Sequence, residues 1–125
     1  MDRNLYMASE AGAARKEEDW GSLTWLASKQ IGNADGLTLG YVVIKPGQSN
    51  PRHAHFRCEE ALYLLQGRLE HTIGNRTVIV EARDTLTIPA GVFHNAVNIG
   101  AEDAEMIVAY SSGTRDFVLE TDGES

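Results

Sequence analysis

Between Ser22 and Tyr110 the chain turns before any segment grows long enough to make a stable helix. SLTWLAS (22–28) and LTLGYVVIK (37–45) are rich in β-formers, and the second ends at the turn signal Pro46-Gly47. ALYLLQ runs to Gly67, and the Gln66-Gly67 pair reads as a bend into RLEHTI. Gly74-Asn75 reads as a tight hairpin turn into RTVIVEA. Arg83-Asp84 then leads into TLTIP, and Pro89-Ala90-Gly91 into FHNAVNI. AEMIVAY (104–110) is the last clear strand. About eight short strands, punctuated at roughly eight- to twelve-residue intervals, predict an all-β sandwich or small barrel.

The flanks differ in character. Residues 8–19, ASEAGAARKEED, carry too few apolar side chains to join a core and are expected to form a helical turn or two, or an irregular arm. The tail TRDFVLETDGES turns polar and is expected to fray. The expected organisation is an N-terminal arm (1–20), one β-barrel domain (21–119) and a C-terminal tail (120–125). A chain of 125 residues with 42% apolar content can bury a core without disulfides.

The net charge of −7 and the lack of a basic cluster argue against a nucleic-acid partner. No apolar run approaches the roughly 20 residues of a membrane span. The first residues lack the apolar stretch of a secretory signal. Cys58 is the single cysteine, which suits a reducing, cytoplasmic setting.

Chemistry concentrates in HAHFRCEE, residues 53–60. Side chains at i and i+2 of a strand share a face, about 6.6 Å apart along it. His53 and His55 can therefore converge on one ion, and His94 follows the Pro-Ala-Gly turn as a third imidazole. Imidazoles with a carboxylate suit one divalent transition metal, whether iron, manganese, nickel, copper or zinc. His71 alternates between Leu69 and Ile73 and reads as a packed histidine.

The segment Gly47-QSNPR-His53-Ala-His55-FRCE-Glu60-ALYLLQ-Gly67 resembles the first motif of the cupin superfamily. Pro89-Ala-Gly91-VF-His94-NAV-Asn98 is similar to its second motif. The resemblance implies a single double-stranded β-helix, the jelly-roll barrel. It also implies a metal site of three histidines and one glutamate on His53, His55, Glu60 and His94. Six residues separate Glu60 from Gly67, as the motif asks. Glu59 falls one step out of register and is expected on the opposite face of the pleat. The second motif departs from the family at Arg83, where glycine would permit a positive φ. That turn must carry strain or take another form.

Pro89 and Gly91 are expected to shape the turn that delivers His94, and Asn98 to bind backbone near the barrel mouth. Tyr41, Tyr63, Phe93 and Phe117 suit core or pocket wall. Arg52, Arg57 and Arg68 read as solvated, and Cys58 as a small buried thiol. Trp25, with Leu23 on its face and Leu26 opposite, is expected to serve a homodimer paired through the N-terminal strands, as cupins commonly are. The function implied is that of a metal-dependent enzyme on a small molecule, foremost an oxidoreductase of dioxygenase type. A non-redox decarboxylase, lyase or isomerase and a non-catalytic binding module are the alternatives.

Overall fold

The computed structural model describes residues 6–120; the first five residues of the expected arm and the last five of the tail lie outside it. Eleven strands run through the described residues. They are β1 (Ala14–Glu18), β2 (Gly21–Ala27), β3 (Thr38–Ile44), β4 (His53–Ala54), β5 (Glu60–Gln66), β6 (Arg68–Ile73), β7 (Arg76–Glu81), β8 (Thr85–Ile88), β9 (His94–Asn98), β10 (Ala104–Tyr110) and β11 (Val118–Leu119). The eight expected strands are all present, and β1, β4 and β11 are additional.

Two antiparallel sheets face each other, ordered β1-β2-β3-β10-β5-β8 and β11-β4-β9-β6-β7. This is the jelly-roll barrel. Alternation along the central strands builds its core. Thr38, Gly40, Val42 and Ile44 of β3 are buried while the residues between them are half-exposed, and β10 repeats the pattern from Ala104 to Tyr110. Leu62, Leu64, Leu69, Met106 and Val108 meet between the sheets with the thiol of Cys58.

The stretch expected as a helical turn or irregular arm is a strand instead. Only Glu10–Gly12 makes a short 3-10 turn, capped by Ser9. Ala14–Glu18 then pairs along β2, from Ala14 opposite Trp25 to Glu18 opposite Gly21. Backbone hydrogen bonds need no apolar side chains, so a polar segment can extend a sheet at its edge. Its charges pair along the strand, Arg15 with Glu17 and Lys16 with Glu18 at 2.6 and 3.2 Å.

Trp25 is half-buried and turns its ring inward. Its ring lies against Tyr110, centroids 6.4 Å apart, on the inner side of the barrel. Gly40 on β3 makes the room. A Cβ there would fall 2.7 Å from Cζ3 of Trp25.

Arg83 adopts φ 79°, the left-handed value that the glycine of the motif would take without strain. Its amide donates to the carbonyl of Leu64 at 2.7 Å, which holds the turn to β5. Asn98 is buried and donates from Nδ2 to the carbonyls of Ile44 and Glu102, while its Oδ1 accepts from the Gly100 amide, all at 2.8 Å. It ties β9 to β3 with every polar group of its side chain in use.

Candidate metal centre

The two sheets each contribute to one buried cluster. β4 presents His53, and His55 follows one residue beyond its end. β9 opens with His94, directly opposite His53. Glu60 comes from the other sheet, where it opens β5 between Ile88 of β8 and Tyr110 of β10. His53, His55, Glu60 and His94 are all buried, and one ligand atom from each lies within 4.8 Å of the others. Glu59 is exposed on the other side of the pleat, with its amide tied to Ser111 Oγ. The turn at Gly91, φ 81°, delivers His94, and the Gly91 amide donates to the carbonyl of His55.

The orientation of the three rings is fixed from behind. Nδ1 of His53 lies 2.7 Å from the carbonyl of Pro51, Nδ1 of His55 lies 2.6 Å from that of Asp116, and Nδ1 of His94 lies 2.9 Å from that of Val92. A carbonyl oxygen can only accept, so each Nδ1 carries the proton. In the neutral ring each Nε2 then presents a lone pair.

Two of those lone pairs face a carboxylate. Nε2 of His94 is 3.1 Å and Nε2 of His55 is 3.4 Å from Oε1 of Glu60. Nε2 of His55 is buried and has no hydrogen-bond partner. Lone pairs and a carboxylate oxygen at such separations repel unless a cation lies among them. A proton can serve, and a divalent metal ion serves all four groups at once. The donor set therefore fits one metal ion, and the cluster could hold it.

The field of the site agrees. Burial alone would raise the Glu60 carboxyl, but the two imidazoles, once a proton sits on Nε2, outweigh it and hold the group at about 2. Burial holds His53 down at about 4, so its ring stays neutral well into mild acid. The Tyr110 phenol is pushed far up by burial and by the nearby Glu60 charge, and remains protonated.

A cavity of about 380 Å³ opens onto the cluster. Trp20, Leu23, Trp25, Val42, Met106 and Leu119 give it apolar walls, while His53, Glu60 and His94 lie in its lining. Of the four aromatic residues expected as core or wall, Phe117 lines it, stacked on His53 with centroids 4.7 Å apart. Tyr41 instead faces outward and donates to Glu105, and Phe93 packs edge-on against Phe56.

Several residues of the site carried no signal in the sequence reading. His71 is indeed packed, yet it is stacked on His94 with rings inclined by 17°, lines the cavity, and leaves Nδ1 without a partner. Tyr110 packs edge-on against His55 at 4.8 Å. Arg115 and Phe117, just before β11, line the cavity. Arg115 lays its guanidinium 4.5 Å over the Trp25 ring, and Asp116 accepts from the amides of Phe56 and Arg57. Arg52 is not simply solvated. It ties the hairpin to the tail, donating to Gly74 and Thr72 and pairing with Glu120 at 2.8 Å. Arg68 pairs on the surface with Glu81.

Known proteins resemble this chain in sequence and fold. Residues 40–110 match the family model described as a cupin domain. Germin-like protein 3-5 of Oryza sativa subsp. japonica is 35% identical over 88 residues, which cover 64% of this chain and 39% of that protein. Polyketide synthase CurC of Streptomyces cyaneus is 32% identical over 84 residues, covering 67% of this chain and 54% of that one. The chain thus spans about two fifths of the germin-like relative and about half of the polyketide one. Among solved structures, recombinant oxalate oxidase in complex with glycolate superposes with a TM-score of 0.82 at 25% identity, over 94% of this chain and 65% of that chain. The barrel, its buried cluster of three histidines and one glutamate, and the match across residues 40–110 make this chain a member of the cupin family.

Proposed function

We propose that the chain is a metal-dependent oxidoreductase of dioxygenase type acting on a small molecule that bears a carboxylate or hydroxyl group. His53, His55, His94 and Glu60 are the ligands of one divalent transition metal ion. The observation that carries this reading is the shared posture of the three imidazoles, each with Nδ1 committed to a backbone carbonyl, in a cluster with Glu60 whose ligand atoms lie within 4.8 Å of one another. When bound, the metal supplies a Lewis acid and a place for substrate oxygen or dioxygen. The chain does the rest. Four protein donors leave coordination positions open, the two sheets hold the donors in place, and the apolar walls keep water from the bound molecule. Likeness to an oxalate oxidase that binds glycolate supports a small oxygen-rich substrate.

The reading extends to a homodimer in the cytoplasm. β1 is an edge strand with unpaired backbone on its outer side, which suits pairing through the N-terminal strands. The lone, buried Cys58 suits a reducing compartment. No helix among the described residues is long and apolar enough to cross a membrane.

Dioxygen uptake by protein loaded in turn with iron, manganese, nickel, copper and zinc, against a panel of small carboxylates and alcohols, tests the activity. Uptake that depends on both metal and substrate is expected. Turnover without uptake would replace the reading by a decarboxylase, lyase or isomerase, and saturable binding without turnover by a binding module. Light scattering at tens of micromolar should give twice the chain mass, and a monomer mass would remove the dimer.

A further inference from the structure

The cavity is large and greasy for a metal site that served only a two-carbon acid. At about 380 Å³ it falls in the range of sites for drug-sized ligands, roughly 300–1,000 Å³. Trp20, Trp25 and Phe117 supply flat aromatic walls. Four residues with formal charges border it: Lys16, Glu18, Glu60 and Arg115. Lys16 and Glu18 pair with each other at 3.2 Å, and Glu60 belongs to the histidine cluster. Arg115 makes no ion pair with any described residue. Its neighbour Asp116 is occupied with the amides of Phe56 and Arg57.

Arg115 is nonetheless held. Its guanidinium lies 4.5 Å from the Trp25 centroid, 5.3 Å from that of Phe117 and 5.5 Å from that of Tyr110. Three rings surround the guanidinium carbon, and its N–H groups make no hydrogen bond to any described residue, which leaves them free to donate. A guanidinium so placed presents the geometry that a carboxylate accepts.

We propose that Arg115 is a specificity residue that receives an anionic group of the substrate, and that the substrate is an amphipathic acid: an apolar, ring-sized body with one oxygen group at the metal and a separate carboxylate at Arg115. This rests on the metal reading above and narrows its substrate class beyond a two-carbon acid.

Hydroxamates separate the two claims. Benzohydroxamate carries a metal-seeking group and a ring, and its 3- and 4-carboxy derivatives add the second anion. Trp20 and Trp25 are the only tryptophans and both line the cavity, so their fluorescence reports occupancy. Zinc, with no redox chemistry, is the metal for the titration. The full chain loaded with zinc should bind at least one carboxylated isomer about tenfold more tightly than benzohydroxamate itself, the gain of a charge-assisted pair. The preference, taken as the ratio to each variant's own affinity for plain benzohydroxamate, should vanish in Arg115→Gln and return in part in Arg115→Lys. If neither isomer is preferred, or if Arg115→Gln keeps the preference, the inference is overturned. The metal reading fails separately if plain benzohydroxamate binds Glu60→Gln as tightly as the unaltered chain, whatever the ratio at Arg115.

Discussion

The backbone carbonyl of Asp116 accepts from Nδ1 of His55 at 2.6 Å, across 61 residues of sequence. The same residue uses its carboxylate to gather the amides of Phe56 and Arg57, at 2.6 and 3.0 Å. One residue thus holds His55 directly and also fixes the backbone that follows it. Those two amides outweigh the effect of partial burial and keep the Asp116 carboxyl below the usual carboxylate range.

Asp116→Ala leaves the carbonyl in the chain but frees the loop that positions it. Metal affinity should fall about tenfold to a hundredfold, as on loss of a group that orients a ligand. The fold should lose about 0.5–1.5 kcal/mol, the modest net worth of hydrogen bonds whose exposed amides water can take over. Competition with a calibrated chelator measures the first and urea unfolding the second. Unchanged chelator competition would mean that Asp116 does not position His55.

The pair Glu59 and Glu60 offers a test of register. Glu60 is 5% exposed and lies among the histidines, whereas Glu59 is exposed on the other face. Glu60→Gln should lose most of the bound metal, as should alanine at His53, His55 or His94. Glu59→Gln should keep it, with a melting temperature within a degree or two of the parent. Elemental analysis of metal per chain decides, and metal retained in three or four of the ligand variants would remove the site.

Acid should loosen the protein even without metal. Burial holds His53 and His71 at about 4 in the folded state, against about 6.5 when unfolded. The unfolded chain therefore takes up protons first, and stability falls as pH drops from about 6.5 towards 4. Each ring contributes at most about 3 kcal/mol to that loss. Glu60 has the same sign in a lower window: its contribution is present above its ordinary value of 4.5 and is lost as pH falls towards 2. Metal-loaded protein should start higher and descend further, because protons also displace the ion. Urea midpoints of chelator-treated and loaded chains from pH 7.5 to 4.5 test this; superimposable curves would mean no metal is linked to folding.

Arg83 offers a gain. Its φ of 79° costs a non-glycine residue roughly 1–2 kcal/mol, while glycine gives part of that back through the freedom of the unfolded chain. Arg83→Gly should stabilise the fold by about 0.5–1 kcal/mol with metal content unchanged, since the exposed turn is remote from the donors. A lower urea midpoint would show that the arginine side chain contributes something the turn needs.

Much of this molecule was legible from local pattern. Period-two alternation marked the central strands, and the spacing of His53, His55, Glu60 and His94 brought out a set that the barrel does gather. The misses have a common physical origin. β1 was unreadable because a polar edge strand is held by backbone, which side-chain pattern does not report. The inward seat of Trp25 was unreadable because the space that admits its ring is made by Gly40, on the neighbouring strand. Arg115 and Asp116 bear no fixed spacing to either motif, and neither does Phe117, which was expected as core or pocket wall but not as a partner of His53. They meet the site only because β11 returns to pair with β4, Leu119 opposite His53.

That return has a consequence for synthesis. All four donors lie before residue 95, yet the carbonyl that sets His55 and the ring that stacks on His53 come from residues 116 and 117. A growing chain that has emerged only as far as β10 carries every donor in a half-tuned state. Two of its imidazoles still lack the contacts that orient them. Firm capture of an ion should therefore await the arrival of β11, so metal loading and closure of the barrel become one event.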